Sequence, residues 1–233
     1  MSQNKLERFA QLNTFPNVLQ FPEGMAGKWK NHFGNDNPIT LELACGKGEY
    51  AVGLGQQYAD RNFIGVDIKG NRIWVGAKKA LQENLKNVSF LRTEIDQLGQ
   101  YFVSSEIDEI WITFPDPQLR FSKAKKRLTH PKFLRLYQQI LSPGGYINLK
   151  TDSPDLYRFT KMVITFYGCI LLEDNDHVFD GREVKDELKI RTHYESLDIA
   201  GSSRIHYLRF SLPIDLGDKE KDLAFKEKIR ENE

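Results

Sequence analysis

Short apolar runs that stop at glycine or proline, each followed by a stretch of helical spacing, constrain this chain more than any other feature. Ile39–Cys45, Asn62–Asp67, Val88–Arg92, Ile107–Thr113 and Tyr146–Lys150 read as strands. Helical stretches run from about Glu49 to Tyr58, from Asn71 to about Asn84 and from Pro131 to Leu141. Ser153-Pro154 caps another helix, which runs to about Tyr167. Cys169–Leu172 and Arg204–Leu212 add two further strands. Such alternation implies an α/β fold with a doubly wound, mainly parallel sheet. In sheets of that kind ligands bind outside the carboxyl ends of the strands, where the strand order reverses. Residues 1–37 read as an irregular N-terminal arm, 38–213 as the folded domain and 214–233 as a charged, solvated tail, partly helical or disordered.

Composition narrows the class. A chain of 233 residues suits one such domain. Its 33 Lys and Arg against 32 Asp and Glu argue against a uniformly basic nucleic-acid binder, though not against a local basic patch. Cys45 and Cys169 are too few for a disulfide framework or a four-ligand zinc site, and the five histidines lack ligand spacing, so no metal is expected. No apolar run approaches the roughly 20 residues that span a bilayer, and the first residues lack the apolar core of a signal peptide. The expectation is a cytoplasmic protein with no membrane partner, either monomer or homodimer.

Each strand end carries chemistry. Leu41-Glu-Leu-Ala-Cys-Gly-Lys-Gly48 places two glycines where the backbone must turn tightly and let a cofactor approach. Asp67 closes the second strand, where a carboxylate reaches the hydroxyls of an adenosine ribose. Gly46-Lys-Gly-Glu-Tyr-Ala51 also satisfies the looser dinucleotide pattern, so a nucleotide-dependent oxidoreductase is a rival reading. Two features favour S-adenosylmethionine instead. Glu42 lies in the first strand, where it would sit near a positively charged sulfonium and would repel a pyrophosphate. The fourth strand ends in Phe114-Pro-Asp-Pro117, a position suited to holding a methyl acceptor. The oxidoreductase reading also needs a hydride-transfer acid such as a Tyr-x-x-x-Lys pair, and none is expected, Lys161 being taken to stand at the wrong spacing from Tyr157. Glu94, after the third strand, is placed to meet an adenine amino group. Cys45 reads as packing beneath the glycine turn, not as a nucleophile.

Charge is distributed unevenly. Between Asp116 and Asp152 no acidic residue occurs, yet Arg120, Lys123, Lys125, Lys126, Arg127, Lys132, Arg135 and Lys150 all do. A single-sign block beside a strand-end site is what a phosphate backbone selects. A non-catalytic RNA-binding protein on the same core is therefore a second rival. The acidic set Glu42, Asp67 and Asp116 argues against it, because a phosphate grip has no use for carboxylates.

With these residues in view, the chain resembles the bacterial tRNA (guanine-N7-)-methyltransferase family over about residues 20 to 212. The resemblance rests on Leu41–Gly48, on Phe63-Ile-Gly-Val-Asp-Ile-Lys69 and on Phe114–Pro117 followed by the basic run to Lys125-Lys-Arg-Leu128. Lys150-Thr-Asp152 and Thr192-His-Tyr-Glu195 complete it. It implies a Rossmann-like class I methyltransferase with an antiparallel last strand, S-adenosylmethionine as cofactor, and tRNA as partner. The reaction implied is methylation of N7 of a variable-loop guanosine. It further implies that Glu42, Gly46, Gly48, Asp67, Glu94 and Asp116 line the cofactor and that Asp116 is catalytic. Arg120, Asp152, Thr192, His193, Tyr194 and Glu195 would face the substrate, and Lys123, Lys125, Lys126 and Arg127 would contact RNA. The chain departs from the family's Asp-Pro-Trp-Pro-Lys, reading Asp116-Pro-Gln118-Leu-Arg120.

Overall fold

The computed structural model describes residues 3–197, 201 and 204–230. Its eight strands are β1 (Val18–Gln20), β2 (Ile39–Leu43), β3 (Asn62–Asp67), β4 (Val88–Arg92), β5 (Ile107–Thr113), β6 (Leu141–Thr151), β7 (Ile170–Asn175) and β8 (His206–Ser211). The helices are α1 (Gln3–Leu12), α2 (Trp29–Phe33), α3 (Glu49–Gln57), α4 (Gly70–Gln82), α5 (Pro131–Ile140), α6 (Pro154–Tyr167), α7 (Asp186–Lys189) and α8 (Lys219–Arg230). One sheet results, in the order β1-β4-β3-β2-β5-β6-β8-β7. β1 to β6 run parallel, and β8 inserts antiparallel between β6 and β7. The expected mainly parallel sheet with an antiparallel last strand is the observed one. Strand order reverses at β2, between β3 and β5, and that reversal opens the crevice at the carboxyl ends.

Period-two alternation sends neighbouring residues of each central strand to opposite faces. Ile39, Leu41, Leu43, Ile110, Ile112, Ile147 and Leu149 build an apolar layer beneath α5, α6 and α8. The other face, beneath α3 and α4, carries Trp111 and Tyr207 together with the buried polar side chains Thr40, Glu42, Glu109, Asn148 and Lys150. Glu109 is satisfied there by Thr40 Oγ1 at 3.2 Å, Trp111 Nε1 at 2.9 Å, Asn148 Nδ2 at 2.9 Å and the Arg61 guanidinium. Four donors around one carboxylate are what a charge removed from water requires.

Both ends of the chain differ from expectation. Over residues 3–37 the arm is structured: α1 packs on α4, β1 extends the sheet beside β4, and Trp29 is fully buried with Nε1 donating to Tyr101 O at 2.8 Å. Its punctuating prolines and glycines mark turns between short elements, so residue type alone suggested irregularity.

The tail is helical, as one of its expected forms, but it is docked and not merely solvated. In α8, Phe225 and Ile229 stand four apart on one face and are buried, Phe225 lying 5.2 Å from Phe166 and 5.3 Å from Tyr167, centroid to centroid. Two apolar residues in a strongly charged helix suffice when one stripe meets a core. Phe225→Ala should therefore cost about 3–5 kcal/mol of unfolding free energy in a denaturant titration. A loss within about 0.5 kcal/mol, as for an exposed surface site, would mean that α8 is not docked.

Candidate active site at the strand ends

Leaving β2, the chain turns through Ala44, Gly46 and Gly48, all left-handed, at φ 54°, 55° and 70°. Glycine is required at Gly76 on α4 for a different reason: a Cβ there would lie 2.4 Å from Lys47 O. The helix thus approaches the turn by backbone contact alone. Asp67 at the end of β3 holds the turn from beneath, accepting from Gly46 N at 2.9 Å and Lys69 N at 2.8 Å. A carboxylate offers about four lone-pair sites, so Asp67 retains acceptor capacity beyond these two bonds. Glu94 follows β4 and is exposed. Cys45 is buried and burial pushes its thiol well up, which suits packing beneath the turn.

Glu42 is 2% exposed and accepts from Ala51 N at 2.8 Å and Thr113 Oγ1 at 3.3 Å. It thereby ties β2 to the first turns of α3 and to the end of β5. Burial raises its carboxyl to about 8, Glu49 adding repulsion while the Ala51 N–H and Thr113 hydroxyl draw it back.

Beyond β5, Phe114 and Gln118 adopt φ of 45° and 47°. Between them Asp116 is exposed, and its Oδ1 accepts from Gln118 N at 3.0 Å. Asp152, half-buried after β6, lies at the same edge. The antiparallel start of β8 pairs with the end of β6, His206 opposite Thr151, so the segment before β8 returns to the crevice. There His193 N donates to Glu49 Oε1 at 3.3 Å, and Tyr194 lies against Gly46 with the Arg72 guanidinium 5.5 Å from its ring centre. Thr192 is buried, with Oγ1 accepting from Glu195 N at 3.1 Å.

Glu195 in turn pairs with Lys150. That lysine is wholly buried, and Nζ donates to Glu195 Oε2 at 2.9 Å, Leu188 O at 2.9 Å and Ile190 O at 3.0 Å. Tyr50, Phe114 and Phe179 surround the ammonium at 5.4–5.6 Å. Burial pulls Lys150 below the usual lysine value although Glu195 pulls the other way. Lys150 and Glu195 thus lock the 188–195 segment onto the sheet.

The basic block divides into two kinds of residue. Lys132 pairs with Asp96, and Arg135 with Asp222 of α8 at 2.8 Å. Arg127 is 5% exposed and donates to the carbonyls of Pro117, Gln118 and Leu119. It points inward, against the expectation of an RNA contact, because those three carbonyls and the Phe159 ring offer it partners. Arg120, Lys123, Lys125 and Lys126 are exposed and have no acidic partner among the described residues. Four of the eight cations, not all of them, are therefore exposed without an acidic partner among the described residues, Lys132 being exposed but paired.

Comparisons with known proteins agree with this geometry. Residues 36–202 match the family model described as putative methyltransferase. A tRNA (guanine-N(7)-)-methyltransferase of Bacteroides thetaiotaomicron is 44% identical over 222 residues, covering 91% of this chain and 87% of that protein. One from Porphyromonas gingivalis is 46% identical over 213 residues, covering 86% of each. This chain belongs to the tRNA (guanine-N7-)-methyltransferase family. Among solved structures, the 16S rRNA methyltransferase KamB shares the fold at a TM-score of 0.61 with 14% identity, over 84% of this chain and 99% of that one.

Within the family frame, several features leave no direct mark in the sequence. Thr113 as partner of Glu42, Glu49 as acceptor for His193 N, and Lys150 as anchor all emerge from the fold. A lone lysine inside the otherwise uncharged run Tyr146–Lys150 was the available signal for the last. One expectation is corrected outright: Tyr157 and Lys161 do have Tyr-x-x-x-Lys spacing. On α6, however, both side chains bond Asp174 of the edge strand β7, which takes them out of any hydride-transfer role at the crevice.

The Glu42 site has a pH signature. Its carboxyl titrates at about 8 when folded, against an ordinary 4.5. Between those values the folded chain holds a proton that the unfolded chain has released. The stability this confers is complete below the ordinary value and is lost as pH climbs through the folded one. Thermal melts of the cofactor-free chain at pH 5 and pH 8.5 should show Glu42→Gln gaining on wild type as pH rises. A difference in Tm that stays constant with pH would show that Glu42 does not take up this proton.

Proposed function

We propose that this chain transfers the methyl group of S-adenosylmethionine to N7 of a guanosine in the tRNA variable loop. The reading rests above all on one juxtaposition: Asp116 stands exposed just past β5, whose end lies beside the end of β2 and its glycine turn, and four exposed, unpaired cations follow it within ten residues.

The residues present fit the cofactor. Asp67, with its remaining lone pairs, would take the ribose hydroxyls, and Glu94 the adenine amino group. Gly46 and Gly48 give the turn the left-handed backbone it needs, and the absence of a Cβ at Gly48 leaves room for Phe90. Glu42 would oppose the cationic sulfonium, which favours the ionised carboxylate. When bound, S-adenosylmethionine supplies an electrophilic methyl group.

N7 of guanine carries an in-plane lone pair and no proton, so no residue needs to act as a base there. Asp116 instead presents acceptors to the guanine N1–H and amino group and offsets the positive charge that the purine acquires. Holding the reacting groups in line can supply up to roughly 7–11 kcal/mol of the barrier reduction. The guanine edge bearing N7 is shut inside the deep groove of A-form RNA, so the base must be exposed or flipped, at a cost of a few kcal/mol. Arg120, Lys123, Lys125 and Lys126 would offset that cost by gripping neighbouring phosphates. Asp152, His193 and Tyr194 would face the substrate from the β6 side, while Thr192 and Glu195, expected there too, turn inward and hold that segment in place.

Asp116→Asn keeps the size but replaces an acceptor with a donor and removes the counter-charge. Turnover on tRNA should fall roughly 10²–10³-fold with cofactor binding retained by calorimetry. Wild-type turnover in that variant would remove Asp116 from the mechanism. Converting Lys123, Lys125 and Lys126 together to Gln should flatten the dependence of log affinity on log salt, by about 0.7–0.9 for each phosphate no longer neutralised. An unaltered slope would reduce these lysines to a solvated surface.

A further inference from the structure

The loop that carries Asp116 cannot hold its own shape. Pro115 and Pro117 have no N–H to donate, and Phe114 and Gln118 sit in the left-handed region that side chains disfavour. Two backbone donors secure its ends: Phe114 N reaches Lys150 O at 2.8 Å, and Gln118 N reaches the Asp116 carboxylate. The carbonyls of Pro117, Gln118 and Leu119 are gathered by a single group from nine or so residues downstream. Arg127 Nε donates to Pro117 O at 3.1 Å and Gln118 O at 3.2 Å, while Nη2 donates to Gln118 O at 3.1 Å and Leu119 O at 3.3 Å. The face of the guanidinium rests on Phe159 of α6, its central carbon 4.4 Å from the ring centre.

From this geometry we infer that Arg127 is a positioning residue: its guanidinium, clamped between Phe159 and three consecutive carbonyls, sets the direction in which the 116–120 loop presents Asp116 and Arg120. The inference rests on the reading of Asp116 as the guanine acceptor. It takes Arg127 out of the phosphate-gripping set and gives a different job to the last cation of the Lys125-Lys-Arg127 run. Only a planar fork can serve here. Lysine would bring the same charge but a single ammonium, unable to span three carbonyls and stack on a ring at once.

The test uses the full chain with Arg127→Lys, and Phe159→Leu as a second variant that leaves the arginine in place and removes its stacking surface. Amide hydrogen exchange should quicken over residues 114–120 in both variants, with the sheet protected as in wild type. Single-turnover methylation at saturating tRNA and S-adenosylmethionine should slow by roughly 10–100-fold in Arg127→Lys, since misplacement by about 1 Å can cost that much. The salt slope of tRNA binding should stay at its wild-type value, unlike that of the Lys123, Lys125 and Lys126 variant. Wild-type turnover in Arg127→Lys would overturn the inference, because charge alone would then suffice. So would a reduced salt slope in Phe159→Leu at unchanged exchange, which would mark a phosphate contact. If wild type itself failed to methylate tRNA, the reading of the active site would fall, while unaltered exchange over 114–120 would separately sink the clamp.

Discussion

A polar group sealed into the middle of a parallel sheet has to find its partner inside the protein, and several such groups sit on one face of this sheet. Thr40, Glu42, Glu109, Asn148 and Lys150 share the face beneath α3 and α4. Glu109 and Asn148 are answered within the sheet layer, where Asn148 Oδ1 also accepts from Tyr207 at 2.8 Å and Arg209 at 3.0 Å. Glu42 and Lys150 are answered by backbone groups from outside it, Ala51 N for one and the carbonyls of Leu188 and Ile190 for the other. Those partners belong to the segments that border the crevice. Leaving either group unpaired would cost several kcal/mol, so the need to satisfy them fixes α3 and the 188–195 segment in place.

The opposite face works by the same logic with different chemistry. There the layer is apolar, and α6 docks through Phe159, Val163 and Tyr167. Ser153 caps that helix, its hydroxyl accepting from Leu156 N at 3.2 Å, and Pro154 begins it. Phe159 is thereby presented to Arg127 on a rigid element. The Asp116 loop, which lacks donors of its own, is thus braced by a helix whose position is set by burial. One side of the crevice is held by buried charge, the other by an apolar layer relayed through one guanidinium.

This difference explains what could be read from the sequence and what could not. Strand-end motifs declare themselves because Gly46, Gly48, Asp67 and Asp116 occupy the few places where a doubly wound sheet meets a ligand. Their direction is visible in the chain as a break in an apolar run. Partners distant in sequence leave no such trace. Asp96 with Lys132, Asp222 with Arg135 and Glu195 with Lys150 are separated by 36, 87 and 45 residues, as their numbering shows. The block from Arg120 to Lys150 therefore looked uniformly unpaired, because its counter-charges come from other elements. The docking of the tail helix is hidden for a related reason: Phe225 and Ile229 are few, but a single stripe on α8 is all that the α6 surface needs.

Sorting the block by burial also separates two tasks that charge alone would merge. A cation that grips a phosphate is most useful when exposed, adaptable and replaceable, because the field it contributes is screened beyond about 10 Å and summed over several neighbours. A cation that shapes a loop must be buried, planar and singly placed, because its effect lies in direction and not in field. Arg120, Lys123, Lys125 and Lys126 satisfy the first description and Arg127 the second, within eight residues of chain. Lys150 carries the buried, fixed role, though not the planar one, to the far side of the crevice. Its ammonium holds Glu195 and stands 5.5 Å from the ring centre of Phe114, while its own carbonyl accepts from Phe114 N. One residue thus joins the 188–195 segment to the loop that carries Asp116.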